Sequence, residues 1–245
     1  MTDTSTDPTL INWERRQSKR AQDATLGALL APFLLTKEEG AAVRMLSLPA
    51  AHWAFEQFLL ATYPELRWEF VGLEEDYTVW RRMQRASLFV LNADGANAVC
   101  QAVRNTTSGY LDAHWYFPWD IVYFDYMGTW SAAKEKDVIT LAQRQTPNVF
   151  ACTISLSRGR PETNATVEYL SEVGKRHLEW IGDKTGRHQD QPHYKITGTP
   201  ERILRLFEDN NWPMRMVGGF VYDSPSETNP SRTATEMTMV FQHKS

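Results

Sequence analysis

Apolar and polar residues follow two different periods along this chain. Short apolar runs rich in β-branched and aromatic residues predict strands, and longer segments with apolar residues every three or four positions predict helices. The predicted strands cover 43–48, 67–73, 88–91, 121–124, 149–156, 216–222 and 235–242. The predicted helices cover 10–35, 50–63, 77–84, 96–104, 134–145, 163–181 and 200–210.

The order of these elements predicts the fold class. Strands alternate with helices five times, which is typical of a parallel sheet with helices on both faces. The last two strands flank the polar, proline-containing segment 223–232, which predicts a hairpin. We therefore expect an α/β fold with a mostly parallel, seven-stranded sheet and a C-terminal antiparallel hairpin. Residues 1–40 would form a helical extension and 41–245 a single domain.

The first candidate for a ligand-binding or catalytic segment is 119–130, W-D-I-V-Y-F-D-Y-M-G-T-W. Its apolar part predicts a buried central strand, and Asp125 follows where open α/β sheets bind ligands. Gly128 would let the backbone approach a ligand closely. An ordinary strand-to-helix loop with a capping aspartate explains the same residues, so both interpretations stay open here.

Composition narrows the class of protein. The chain has 245 residues, 42% of them hydrophobic and 23% charged, as in soluble globular proteins. It contains no apolar run of about 20 residues and begins with a polar, acidic segment unlike a signal peptide, so we expect a cytoplasmic protein without a membrane span. Cys100 and Cys152 predict buried free thiols, and His188 and His193 lie in a polar segment without a cysteine partner. We expect no metal site.

The charge of the chain does not decide whether its partner is a nucleic acid. A net charge of -4 argues against a uniformly basic nucleic-acid binder. Nucleic acid stays a candidate partner because of two local basic clusters, each of which also fits a solvated helix face. These clusters are Arg15, Arg16, Lys19 and Arg20, then Arg81, Arg82 and Arg85. The sequence does not indicate an oligomeric state.

Element order and the acids after the strands resemble the Rossmann-like, class I S-adenosylmethionine-dependent methyltransferases, over about residues 40–245. The resemblance implies S-adenosylmethionine as the cofactor. Glu74, which ends the second predicted strand in V-G-L-E, would then hold the ribose hydroxyls, and Asp94 in N-A-D-G would reach the adenine. In D-Y-M-G-T, Asp125 and Tyr126 would be the catalytic residues.

The segment after the first strand departs from that family. It runs R-M-L-S-L-P-A-A-H-W, without the family's Gly-rich loop. Either a divergent turn that includes Ser47, Leu48 and Pro49 holds the cofactor's tail, or the domain binds the cofactor weakly or not at all. Two functions follow, a divergent methyltransferase or a catalytically inactive binding or assembly subunit. A dehydrogenase is disfavoured because G-x-G-x-x-G is missing.

Aromatic residues around the fourth strand indicate the substrate. D-Y-M-G-T is similar to the D-P-Y-G-T or D-P-F-G form of some RNA-guanine methyltransferases, with Tyr126 in place of proline. Trp115, Gly128 and Trp130 would bind the substrate and Tyr126 would stack on it, unless these aromatics only pack the loop. We predict transfer to a nitrogen of a nucleobase in DNA or RNA, with a small aromatic metabolite as the alternative.

Overall fold

Seven described strands form one mixed sheet. They are β1 (Ala42–Ser47), β2 (Arg67–Glu74), β3 (Ala98–Arg104), β4 (Ile121–Asp125), β5 (Val149–Ser155), β6 (Met214–Pro225) and β7 (Thr233–His243). In space their order is β3-β2-β1-β4-β5-β7-β6. The computed structural model describes residues 17–49, 53–91, 98–114, 117–126, 128–155, 193–225 and 233–244.

Six described helices surround the sheet. They are α1 (Gln17–Leu34), α2 (Ala54–Thr62), α3 (Tyr77–Leu91), α4 (Thr107–Ala113), α5 (Ala132–Gln143) and α6 (His193–Asp209). Within the described part of the chain, no helix is both long enough and apolar enough to cross a membrane.

Strand directions confirm the predicted fold class. The first five strands pair in parallel, whereas β7 pairs antiparallel with both β5 and β6. The chain runs outward from β1 to β3 and then returns to β4 on the other side of β1. That reversal leaves a crevice at the carboxyl ends of β1 and β4, where open α/β sheets bind their ligands.

The two faces of the sheet carry separate apolar cores. Alternate residues of a strand point to opposite faces, so Met45 joins one core and Leu46 the other. Helices α1, α2 and α3 cover the first face, which we call face A, and α4, α5 and α6 cover the second, face B.

The predicted third strand and the helix after it were wrong. The structure continues α3 through 88–91 and places β3 at Ala98–Arg104, where a helix was expected. A short apolar run fits a buried strand and a buried helical turn equally well, which explains the first error. β3 lies at the sheet edge, and Val99 is 60% exposed there, so its sequence lacks the apolar run of a central strand.

Helix α1 packs directly on face A. Leu26, Leu30 and Leu34 are buried in the same core as Met45. Gly27 gives room to the ring of Phe58 in α2, since a Cβ atom there would lie 2.5 Å from it. The N-terminal helix therefore contributes to the core of the sheet domain.

Two predictions in the C-terminal half met different outcomes. Helix α6 begins at His193 rather than at Pro200, which lies inside the helix instead of in its first turn. The predicted helix 163–181 and the loop that contains His188 lie outside the described residues.

Candidate functional site

Two carboxylates flank the end of β1 on face A. Ser47, the last residue of β1, is in register with Gly72 of β2 and with Tyr123 of β4. Glu74 and Asp125 each follow those residues by two positions, so both lie beyond the end of β1 and on the same face. With strands about 4.8 Å apart, the two backbones that carry these acids are about 10 Å apart. Ser47 lies between them at the point where open α/β sheets bind ligands.

The turn after β2 fixes Glu74. Its Oε1 atom accepts a hydrogen bond from the backbone N–H of Asp76 at 2.8 Å. Asp76 in turn caps α3, since its Oδ1 atom accepts from the backbone N–H groups of Thr78 and Val79 at 2.8 and 2.9 Å. Glu74 thus lies at the strand end that the sequence predicted, while its role toward a ribose stays a prediction.

The loop after β1 takes its shape from neighbouring elements. The Leu48 N–H donates to the carbonyl of Tyr123 at 3.2 Å, and Pro49 packs on Gly72. A Cβ atom on Gly72 would lie 2.6 Å from Pro49 and 2.6 Å from the ring of Trp53. Trp53 precedes α2 with φ 55°, a left-handed conformation that glycine usually adopts. Its indole N–H donates to the carbonyl of Met83 at 2.9 Å.

Sequence reasoning missed Gly72 and Trp53. A glycine inside a strand is a signal for close approach of another group, and Gly72 carries that signal. Together the two residues let a chain segment without a Gly-rich loop turn from β1 into α2.

Asp125 ends β4 on face A and is partly exposed. It is in register with Thr153 of β5, and the next backbone N–H, that of Tyr126, donates to the carbonyl of Thr153 at 3.0 Å. Burial, and then the negative charge of Asp125, raise the pKa of the Tyr123 phenol well above its usual range. Tyr123 and Asp125 are two residues apart on β4 and therefore lie on the same face, with the carboxylate next to the buried phenol.

Tyr126 points to the other face. Its ring lies with Phe124 in the face B core, and its hydroxyl donates to Oδ2 of Asp137 in α5 at 3.0 Å. Burial raises the pKa of Tyr126 well above its usual range, with a further contribution from Asp137. Adjacent residues of a strand point to opposite faces of the sheet, so Tyr126, which follows Asp125, points into the face B core. This burial differs from the exposed stacking surface expected from the sequence.

The rest of the loop after β4 is held by α5 and α6. Gly128 is exposed with φ 79°, and its carbonyl accepts from the Ser155 N–H at 3.0 Å and from Lys134 Nζ at 2.9 Å. The Trp130 indole N–H donates to Glu135 at 3.2 Å. Arg202 makes two hydrogen bonds to the same carboxylate, at 3.0 and 2.9 Å. Trp130 stays partly exposed at the rim of the site.

Two predicted site residues, Asp94 and Trp115, lie outside the described residues. Asp94 was predicted because it would follow a third strand at 88–91. In the structure 88–91 belong to α3, and 92–97 precede β3 in the sequence, so that reason no longer holds. The residues after β3 are Asn105 and Thr106, and Thr106 caps α4 by accepting from the Gly109 N–H at 3.0 Å.

Both cysteines are free thiols, as expected. Burial raises the pKa of Cys152, which is fully buried, and raises that of the half-buried Cys100 to about 12, with a further contribution from Glu56. Neither thiol is activated as a nucleophile. Among the described residues, no group of three or more His, Cys, Asp and Glu side chains could hold a metal ion.

A buried polar cluster under Asp125 was also missed. Gln22 of α1 is 2% exposed, and its Nε2 lies 3.2 Å from Tyr123 Oη, 3.3 Å from Thr153 Oγ1 and 3.4 Å from Thr238 Oγ1. These partners are 101, 131 and 216 residues away in the sequence, so no local pattern could indicate them.

Comparisons with known proteins identify the fold. No family model matches the chain, and no curated protein matches it. Two crystal structures of the methyltransferase domain of a bacterial protein, CtHen1-C and CtHen1-CN, match with TM-scores of 0.52 and 0.51 and identities of 11% and 9%. The alignments cover 94% and 92% of this chain and 100% of each domain.

A third structure, a SAM-dependent methyltransferase from Agrobacterium tumefaciens, has a TM-score of 0.48 at 9% identity. That match covers 91% of this chain and 62% of the other. The sheet order, the C-terminal hairpin and the two matches above 0.5 together show the Rossmann-like fold of class I methyltransferases, in a divergent sequence.

Proposed function

We propose that the protein is an S-adenosylmethionine-dependent methyltransferase that acts on a nitrogen of a nucleobase in DNA or RNA. The observation that carries this proposal is the pair of carboxylates, Glu74 and Asp125, on either side of the crevice above Ser47. The fold shared with methyltransferase domains supports the reaction class.

The residues at the crevice fit this cofactor. One carboxylate oxygen of Glu74 accepts a hydrogen bond from the backbone of the turn after β2. A carboxylate can also accept hydrogen bonds from two vicinal ribose hydroxyls. Leu48 and Pro49 form the turn above β1 that would lie under the cofactor's tail. When bound, S-adenosylmethionine supplies an activated methyl group.

Asp125 is the residue we assign to the acceptor. Its carboxylate accepts a hydrogen bond from an N–H of the acceptor, holds the nitrogen in place and takes up the proton that it releases. Tyr126, buried against Asp137, holds the loop from below instead of touching the acceptor. Trp130 supplies a partly exposed aromatic face at the rim.

Exposed arginines support a nucleic-acid substrate over a small metabolite. Arg81 and Arg85 are exposed on α3, and the guanidinium groups of Arg81 and Arg104 lie 5.8 and 5.1 Å from the ring centroid of Tyr77. Tyr77 follows Glu74 closely and is 48% exposed. If phosphates bind here, substrate affinity falls steeply as salt rises, whereas a neutral metabolite shows little salt dependence.

Calorimetry with S-adenosylhomocysteine tests the cofactor. We expect binding by the natural protein and by Asp125→Ala, and a loss of at least tenfold in affinity for Glu74→Ala, since a charge-assisted contact to two hydroxyls is removed. Asp125→Ala should lose methyl transfer while it keeps cofactor binding. No heat at millimolar ligand with folded protein, or full transfer by Asp125→Ala, contradicts this proposal.

The second candidate is an inactive Rossmann-like binding or assembly subunit. The observation that favours it is the filled space beside β1, where Pro49 and Trp53 pack on Gly72. The same calorimetry separates the two functions, because only the methyltransferase requires the cofactor.

A further inference from the structure

Polar residues on face A are concentrated at the edge of the sheet where the five parallel strands have their carboxyl ends. Toward the other end, face A carries apolar residues such as Met45, Ile121 and Val240. Beneath Asp125 the residues become polar and remain buried, and the glutamine of α1 joins them. We call this group the inner polar cluster; it consists of Gln22, Ser47, Tyr123, Thr153 and Thr238.

Hydrogen bonds inside the inner polar cluster leave two atoms unsatisfied. The Gln22 amide nitrogen carries two hydrogens and lies 3.2 to 3.4 Å from three hydroxyl oxygens of the cluster. The hydroxyls of Thr153 and Thr238 also share a hydrogen bond of 2.7 Å. Gln22 Oε1 and Ser47 Oγ are buried, and neither has a hydrogen-bond partner among the described residues. Buried polar atoms without a partner are costly, so these two are available to a group that the described residues do not supply.

Charges around the inner polar cluster are negative. Asp125, Asp23 of α1 and Glu56 of α2 all raise the pKa of the Tyr123 phenol, after the larger effect of burial. Asp23 is 7% and Glu56 1% exposed, so their fields act through a medium that screens less than water. Such an environment favours groups with N–H donors and disfavours groups with acceptor atoms or negative charge.

We propose that the inner polar cluster and Asp125 form the acceptor subsite, and that it selects an amino group, the exocyclic amine of a nucleobase. Gln22 Oε1 and the Asp125 carboxylate accept its N–H bonds. Both unsatisfied atoms are closed to solvent, so the group must be small and must enter past Asp125, which is partly exposed. This inference rests on the proposed function and specifies its substrate class.

Matched nucleosides test the selection directly. The experiment measures transfer of a tritiated methyl group from S-adenosylmethionine to adenosine against inosine, and to cytidine against uridine. Each pair differs in having an amine or a carbonyl at one ring position. We expect faster transfer to an amine-bearing nucleoside by at least about a hundredfold, because a site that accepts N–H bonds rejects a carbonyl.

Equal rates within both pairs, or transfer to no nucleoside by protein that binds S-adenosylhomocysteine, would overturn this proposal alone. Absence of S-adenosylhomocysteine binding would overturn the proposed function and this proposal with it. The two failures are therefore distinguishable.

Variants of Gln22 separate selection from packing. Gln22→Leu should lower transfer by about tenfold or more and reduce the amine-to-carbonyl rate ratio, with S-adenosylhomocysteine affinity unchanged. Gln22→Glu retains acceptor oxygens and should keep the ratio. Gln143→Leu, an exposed glutamine of α5, is the matched control and should change neither quantity. An unchanged ratio in Gln22→Leu would show that Gln22 only packs α1 on the sheet, and would overturn its part in selection.

Discussion

At the scale of single residues, Gly72 determines the shape of the loop that follows β1. Pro49 and the Trp53 ring occupy the space that a side chain on Gly72 would need. The glycine that this turn requires therefore lies on the neighbouring strand. Its position follows from the register of Ser47 with Gly72, which no pattern within the loop itself reveals.

Gly72→Ala should lower the free energy of unfolding by about 1–3 kcal/mol, because the new methyl group overpacks the core. It should also weaken S-adenosylhomocysteine binding, since Pro49 must move. Urea denaturation and calorimetry measure the two effects.

Gly218→Ala is the matched control, because its Cβ atom would meet the flexible end of Leu29 at 2.7 Å, and Gly218 lies on β6, away from β1 and β2. It should alter stability without altering affinity. Equal losses of affinity in both variants would mean that Gly72 acts only through stability.

At the scale of elements, α5 supports the loop after β4 through a buried carboxyl group. Burial raises the pKa of Asp137 from 3.8 to about 6, and the hydrogen bond from Tyr126 opposes part of that rise. The folded protein therefore favours protonated Asp137, and its contribution to stability is lost as pH rises through about 6.

Asp137→Asn stays neutral at every pH. When pH rises from 4.5 to 7.5, the natural protein loses stability that the variant keeps. The difference in unfolding free energy should therefore change by on the order of 2 kcal/mol in favour of the variant. Urea denaturation at both values measures this gain. Asp209→Asn, an exposed site on α6, should show no such gain, and the same flat result for Asp137→Asn would contradict a buried carboxyl group with a raised pKa.

Elements were predicted well where their patterns were strong. The apolar runs of β4 and β5 and the acid at Glu74 were located from the sequence, whereas β3 and the end of α3 were exchanged. β3 is a half-exposed edge strand, and 88–91 is an apolar turn of helix, so local pattern alone favoured the wrong element for each. The direction of Tyr126 could have been foreseen, since it alternates with Asp125.

At the scale of the molecule, the N-terminal helix belongs to the core of the sheet domain. The sequence predicted a helical extension over 1–40 that precedes a domain at 41–245. Leu30 is fully buried on face A, whereas Leu35, just past the end of α1, is 73% exposed.

Leu30→Ala should therefore cost about 2–5 kcal/mol of unfolding free energy in a single cooperative transition. Leu35→Ala should change it by no more than about 0.5 kcal/mol. Chemical denaturation of both variants gives the comparison. A small effect at Leu30, or a separate early transition, would indicate that α1 folds apart from the sheet.

The contact between Gln22 and Thr238 also has a consequence for protein synthesis. Gln22 leaves the ribosome 216 residues before Thr238. Domains fold as their chains emerge, yet this cluster needs both α1, which precedes all seven described strands, and β7, which follows the other six. A nascent chain that stops after β5 can pair the five parallel strands but has no complete inner polar cluster. The proposed acceptor subsite is thus completed only after β7 is made, and a chain truncated before β7 lacks it.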